Sequence, residues 1–420
     1  MLTANKRAVR SPYPADLWRI MNIGRARESL AWLLQWNSIF RVATPLYDLP
    51  ALATRLQVAS VVLKDESVRS PLGSFKALGA PIALARLILR LYPDQYFESG
   101  RLFVGRYADL IKDLTVISAT DGNHGRALAA AAQAMGCRCV IVLHGQVSAE
   151  REYAIAAYDA EIIRIAGNYD DSVEQAARLA EMSGWHVVSD TSYDGYEDVP
   201  RDVMQGYAAI AVEIVEQTES QANQAAPYTH VFLQGGVGGL AAGIGSYLWE
   251  FHGAHRPRFI VVEPEQADCL LQSARAGHAA DATGSVDSVM AGLACGKTSP
   301  LAWRFLEPCI DFFLTITDAD AVAAMKALAA GGEKDAPIIS GESGAAGVAG
   351  LTALRQDTRL SEAVGLDTNS RILCVSTEGA TAPSVYRHLV GETAESVLKR
   401  QDAWKRSTSI WKLQGVKSAL

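Results

Sequence analysis

Several stretches of this 420-residue chain carry side chains that could do chemistry. The run Ser70-Pro71-Leu72-Gly73-Ser74-Phe75-Lys76 ends in a lysine that opens an apolar helix. With Phe75, Ala77 and Leu78 around it, Lys76 is expected to be partly desolvated. Desolvation lowers an amine's pKa and makes it nucleophilic. The plainer reading is a lysine snorkelling from a helix start. Far downstream, Gln234-Gly235-Gly236-Val237-Gly238-Gly239 lies between a strand pattern and a helix pattern. Glycines let backbone N–H groups converge on one point, and the helix dipole favours an anion, so a phosphate dianion fits there. The spacing of a dinucleotide site is absent. Ala291-Gly292-Leu293-Ala294-Cys295-Gly296-Lys297-Thr298 nearly spells a nucleotide P-loop, but Ala291 replaces its first glycine and no clean strand precedes it.

Together with Thr120-Asp121-Gly122-Asn123-His124, these stretches resemble, in order and spacing, the fold-type-II enzymes of pyridoxal phosphate. The resemblance spans about residues 40 to 390. Five stretches narrow it to the diaminopropionate ammonia-lyases: 118–126, 189–207, 290–295, 339–344 and 376–379. One departure is plain: many relatives carry Asp-Thr-Asp-Pro where this chain has Ala380-Thr381-Ala382-Pro383.

The resemblance implies roles. Lys76 would hold the cofactor covalently, and Gly235, Gly236, Val237, Gly238 and Gly239 would hold its phosphate. Asn123 would contact its phenolic oxygen. Ser376, or failing it Thr377, would face the pyridine nitrogen. Backbone N–H groups of Thr120, Asp121, Gly122 and His124 would take a substrate carboxylate. An acid at Asp121 suits a β-ammonium leaving group, although Asp is also a common helix cap. Asp190 ends a strand of an open parallel sheet, where ligand crevices lie, and it matches the family's second catalytic acid. An Asp in that place also forms turns.

The elements that must position these residues alternate. A helical pattern covers 14–36, a strand 59–64, and the Lys76 helix follows. Strands are expected at 115–118, 139–143, 161–165 and 185–189, separated by helices at 124–135, 149–159 and 170–182. After a helix at 202–217 come strands at 230–233, 259–262 and 371–375. Such alternation implies parallel sheets covered on both faces. The expected architecture is α/β: two open parallel-sheet domains with the cofactor in the cleft between them. Residues 1–80 and 211–420 form the larger domain and 81–210 the smaller.

Composition limits the alternatives. A net charge of -7 argues against nucleic acid as a partner. No apolar run reaches a membrane span. The basic N-terminus, with Lys6, Arg7, Arg10, Arg19, Arg25 and Arg27, lacks a secretory core and is read as a docking helix. Six cysteines without framework spacing suggest a reducing, cytoplasmic setting and no metal site. The activity that the resemblance implies is α,β-elimination of 2,3-diaminopropionate to pyruvate and two ammonia. Alternatives are a serine/threonine or hydroxyaspartate dehydratase, a β-replacement synthase, and a protein that binds pyridoxal phosphate without turnover. A homodimer is expected by resemblance.

Overall fold

Eleven strands form two sheets in a computed structural model that describes residues 1–417 apart from Asp121, Gln146 and Asn168. They are β1 (Leu2–Ala4), β2 (Leu46–Asp48), β3 (Ser60–Asp65), β4 (Thr115–Ala119), β5 (Arg138–Leu143) and β6 (Glu161–Arg164). Then come β7 (His186–Val187), β8 (His230–Gln234), β9 (Arg258–Pro264), β10 (Phe312–Ile316) and β11 (Arg371–Ser376). The large sheet runs β1-β10-β9-β8-β11-β3-β2, and the small sheet β6-β5-β4-β7. All pairs are parallel except the two outer ones of the large sheet, β1 with β10 and β2 with β3.

The interior strands are nearly continuous apolar runs. Every residue of β8 is buried, and so is every residue of β9 and β11 after the first. Strands covered by helices on both faces have no polar side to alternate with. The edge strands β1 and β2 have three residues each and were not foreseen; such short elements carry no period to read. β10 was also missed, although Phe312-Phe313-Leu314-Thr315-Ile316 is a short apolar run between helices. Two helices expected to be continuous are broken. The pattern over 14–36 divides at Met21-Asn22, where the Asn22 side chain caps the second helix by accepting from Arg25 N at 3.0 Å. The 202–217 pattern forms two helices, Asp198–Tyr207 and Ala209–Gln217, meeting at Ala208.

The Lys76 helix, Lys76–Leu91, is buried from Ala77 through Ile88. It packs closely on Asp198–Tyr207, because Gly206 has no side chain: a Cβ there would sit 2.2 Å from Leu78 O. A buried ionic cluster anchors the approach to this helix. Lys64 Nζ donates to Glu213 Oε2 at 2.6 Å, to Thr44 O at 2.8 Å and to Gln217 Oε1 at 2.8 Å. Arg69 bonds both Glu66, at 2.8 Å, and Glu213, at 2.5 Å. Two cations face two carboxylates, which is the condition under which buried charge is tolerated.

Candidate active site

Lys76 is placed by backbone bonds between its approach loop and the segment leaving β11. Phe75 N donates to Thr377 O, and Gly379 N to Gly73 O, both at 2.9 Å. The amine enters a cleft of about 1050 Å³, counted to its open mouth, between the two sheets' C-terminal ends. There Lys76 Nζ donates to Asp190 Oδ2 at 2.5 Å. Asp190 follows β7, on a loop held by Tyr196, whose hydroxyl accepts from Ser189 N and donates to Val187 O, both at 2.9 Å.

This pair overturns the expectation of a depressed lysine pKa. Burial does push the Lys76 amine down, but Asp190 outweighs it with help from Tyr207, and the net effect is upward. Burial likewise pushes the Asp190 carboxyl up, yet Lys76 and then His124 hold it well below the carboxylate range. Phe75 and its neighbours could be read from the sequence. The counter-ion came from 114 residues away.

The glycine loop leaves β8 with Gly235 N bonded to Val262 O at 2.9 Å, and it opens the helix Gly239–His252. Gly236 and Gly238 have φ of +63° and +101°, a region glycine enters without penalty. A Cβ on Gly238 would also strike Leu306 Cδ1 at 2.7 Å. Gly235, Gly236, Val237 and Gly239 line the cleft; Gly238 is not among its lining residues. The near-P-loop does not follow a strand: Ala291–Leu293 is a short 3₁₀ turn, and Ala291 through Cys295 line the cleft.

The small sheet contributes the start of the helix Asn123–Met135. Thr120, Gly122, Asn123 and His124 line the cleft, whereas Asp121 lies outside the described residues. Thr120 Oγ1 accepts from Gly122 N at 3.1 Å and Gly125 N at 3.2 Å, so its side chain shapes the turn. His124 is buried; its Nε2 is 2.9 Å from Val188 O and its Nδ1 3.9 Å from Asp190 Oδ2. Burial pushes its pKa down, outweighing the upward pull of Asp190.

Beyond β11 the two candidate hydroxyls separate. Ser376 Oγ donates to Ser340 Oγ at 2.8 Å, and Ser376 is fully buried. Thr377 lines the cleft and Ser376 is not among its lining residues. Polar lining residues that the sequence reading gave no role include Tyr207, Glu378, Arg151 and Tyr169. Asn123 Nδ2 donates to Glu378 Oε2 at 2.5 Å, and Arg151 Nη2 to Glu342 Oε1 at 3.0 Å, so both contacts cross the cleft. Burial, then the neighbouring Glu378, pushes the Glu342 carboxyl up to about 7. Glu378 and Glu342 stand in the stretches 376–379 and 339–344, where the resemblance implied roles only for Ser376 and Thr377.

The arrangement fits pyridoxal phosphate. It offers an amine inside the cleft, a glycine cradle in which Cβ atoms would clash, and a helix N-terminus for the dianion. A family model described as pyridoxal-phosphate dependent enzyme matches residues 39–378. The diaminopropionate ammonia-lyase of Escherichia coli (strain K12) is 38% identical over 361 residues, covering 84% of this chain and 88% of that one. The Salmonella typhimurium enzyme of the same name is 38% identical over 355 residues, covering 83% and 87%. The crystal structure of the Escherichia coli enzyme in complex with D-serine superposes with a TM-score of 0.84 at 35% identity, covering 94% of this chain and 98% of that one.

Proposed function

This chain belongs to the pyridoxal-phosphate-dependent enzymes, and within them to the diaminopropionate ammonia-lyase family, and from that premise we propose that it eliminates the β-amine of 2,3-diaminopropionate. The products are pyruvate and two ammonia, the first organic product being 2-aminoacrylate, which water hydrolyses. The observation that carries this reading is one cleft holding the Lys76 amine on Asp190, the Gly235–Gly239 loop and Asn123.

Lys76 would hold the cofactor, with its phosphate on Gly235, Gly236, Val237, Gly238 and Gly239 and its phenolic oxygen near Asn123. Thr377, or Ser376 behind it, would meet the pyridine nitrogen. When bound, the cofactor supplies a sink for the electron pair left when the α-proton departs. A hydroxyl does not hold that nitrogen protonated as a carboxylate would, which suits elimination better than transamination. Lys76 Nζ and Asp190 Oδ2 are the atoms that can accept the α-proton. Of the backbone N–H groups of residues 120 to 124, those of Asn123 and His124 would orient the substrate carboxylate, since Gly122 N already bonds Thr120 Oγ1 at 3.1 Å and Thr120 N bonds Val142 O at 3.4 Å; Thr120 and His124 fix the turn. Asp121 neutralises the β-ammonium and assists its departure.

A dehydratase acting on serine, threonine or hydroxyaspartate is the second reading, favoured by Ala380-Thr381-Ala382-Pro383. The division into 1–80 with 211–420 and 81–210, supported by the separate sheets, belongs to the same proposal. So do a homodimer and a cytoplasmic setting. No helix among the described residues is long and apolar enough to cross a membrane.

The test offers the purified, cofactor-loaded chain L- and D-diaminopropionate and L-serine, and measures pyruvate. Diaminopropionate should lead in kcat/KM, and Asp121→Ala should reduce it far more than serine. Faster turnover of serine would favour the dehydratase. Cofactor uptake with no turnover of any of them would leave a binding protein.

A further inference from the structure

Tyr207 ends the helix Asp198–Tyr207 and is 1% exposed, yet its hydroxyl makes no hydrogen bond of ordinary geometry among the described residues, although it lies near enough to Lys76 to raise that amine's pKa. A buried polar group left unpaired costs about 1–3 kcal/mol and calls for an explanation. The surroundings hold the ring in one place. A Cβ on Gly79, one turn after Lys76, would lie 2.3 Å from Tyr207 Cε1 and 2.8 Å from Cζ, so the ring fills the space of a missing side chain. Gly243 and Gly239 flank it from another helix, their Cβ positions 3.4 Å from Tyr207 Cβ and 3.8 Å from Cε2. Phe75 covers it at 4.6 Å between centroids. The ring lines the same cleft as Lys76, and its centroid lies 5.4 Å from Lys76 Nζ.

The titratable groups facing this point are few. Lys76 comes from its own helix, Asp190 from the loop after β7, His124 from the Asn123–Met135 helix, and Tyr207 from its own; from the Gly239–His252 helix, Gly239 and Gly243 lie against the ring. Burial pushes the phenol up, so it is neutral and can accept a hydrogen bond from an ammonium or donate one to an amine.

We propose that Tyr207 is a positioning residue for Lys76: its phenol oxygen is the second partner of the Lys76 amine, taken up when Asp190 lets go, and it aims that amine at the substrate. The need for a second partner follows from the proposed function. Once Asp190 Oδ2 accepts a proton it no longer holds an ammonium by charge, and Lys76 would otherwise turn freely in the cleft. Tyr207 stands within a side-chain rotation of it, in a slot three glycines keep open.

Tyr207→Phe removes the hydroxyl and keeps the ring. In the full-length, cofactor-free chain carrying Asp190→Asn as background, so that residue 190 no longer holds the ammonium by charge, acetylation of Lys76 by acetic anhydride is followed by peptide mass spectrometry from pH 7 to pH 11. Loss of an acceptor lowers the amine's pKa, so Lys76 of the variant should react about threefold to tenfold faster at a given pH. In the loaded enzyme kcat should fall about tenfold, with KM for diaminopropionate within about twofold. Superimposed acetylation profiles, in a variant melting like the parent, would overturn the proposal. If the Phe variant does not fold, Gly79→Ala displaces the ring from the other side and must give the same faster labelling. A parent chain that takes up no pyridoxal phosphate would sink the proposed function instead, and the labelling result would still decide the role of Tyr207.

Discussion

Asp190 and Lys76 touch, and that contact sets what each can do. Asp190 has its pKa depressed, so its contribution to stability is present above the ordinary carboxylate value of 3.8 and is lost as pH falls through the folded value. Lys76 has its pKa raised, so its contribution is full below 10.5 and is lost as pH rises through the folded value. The pair therefore persists throughout the range between those two values. A single amine on one side of the substrate can take only the α-proton presented to it, so turnover of both enantiomers needs a second base. With Asp190 as that base for the D-isomer, Asp190→Asn should reduce D-diaminopropionate turnover about 100-fold or more. L-isomer turnover should fall much less. Parallel steady-state assays of the two isomers, with cofactor absorbance as the control for binding, check this. Equal losses would show that Asp190 is not specific for one face.

At the scale of elements, the glycine loop leans on a buried acid. Glu263, near the end of β9, accepts from Leu270 N and Leu271 N, both at 2.8 Å, at the start of the helix Cys269–Ala276. Its Cγ would lie 2.6 Å from a Cβ on Gly235, which is why that loop position is glycine. Burial pushes the Glu263 carboxyl up to about 8, against the two helical N–H donors. A raised carboxylate keeps its proton in the folded chain while the unfolded chain has lost it. Glu263 therefore subtracts stability as pH rises from about 4.5 to about 8. Glu263→Gln removes this titration. Its stability relative to the parent should rise by on the order of 4 kcal/mol between pH 5 and pH 9. Urea unfolding at the two pH values measures it. A constant difference would mean that the N–H donors keep Glu263 ionised throughout.

The whole molecule depends on a chain that leaves one sheet, builds another and returns. The departing end carries Thr44, Lys64, Glu66 and Arg69, and the returning end carries Glu213 and Gln217. Their cluster ties the two ends together below the cleft. Breaking a buried pair leaves an uncompensated charge, so Glu213→Gln should cost about 3–5 kcal/mol of unfolding free energy. Denaturant titration of the variant checks it, and a loss under about 1 kcal/mol would mean that solvent reaches the cluster. The cluster's residues are not among those lining the cleft, so the change should lower stability far more than it lowers turnover per folded molecule.

Much of this was legible along the chain because it is local. The strand-helix alternation, the apolar interior strands and the glycine loop are set by side-chain period and by which residues tolerate positive φ, and both are written in consecutive residues. Lys76, Asn123, Asp190 and the Gly235–Gly239 loop could be singled out for the same reason, and all of them meet at one cleft except Gly238, which shapes the loop from behind. Partnership was not legible. Lys76 was read as an amine made nucleophilic by burial, and its actual state follows from Asp190, 114 residues on. Tyr207 stood inside a helix expected over 202–217 with no role assigned, and packing against Gly79 and Phe75 places it in the lining of the cleft. Asn123 and Ser376 likewise have partners, Glu378 and Ser340, that no spacing announced. Sequence fixes a side chain's chemistry and local conformation through short-range sterics. Its charge state and reach depend on Coulomb and hydrogen-bond neighbours within a few ångströms, and folding alone decides which residues those are.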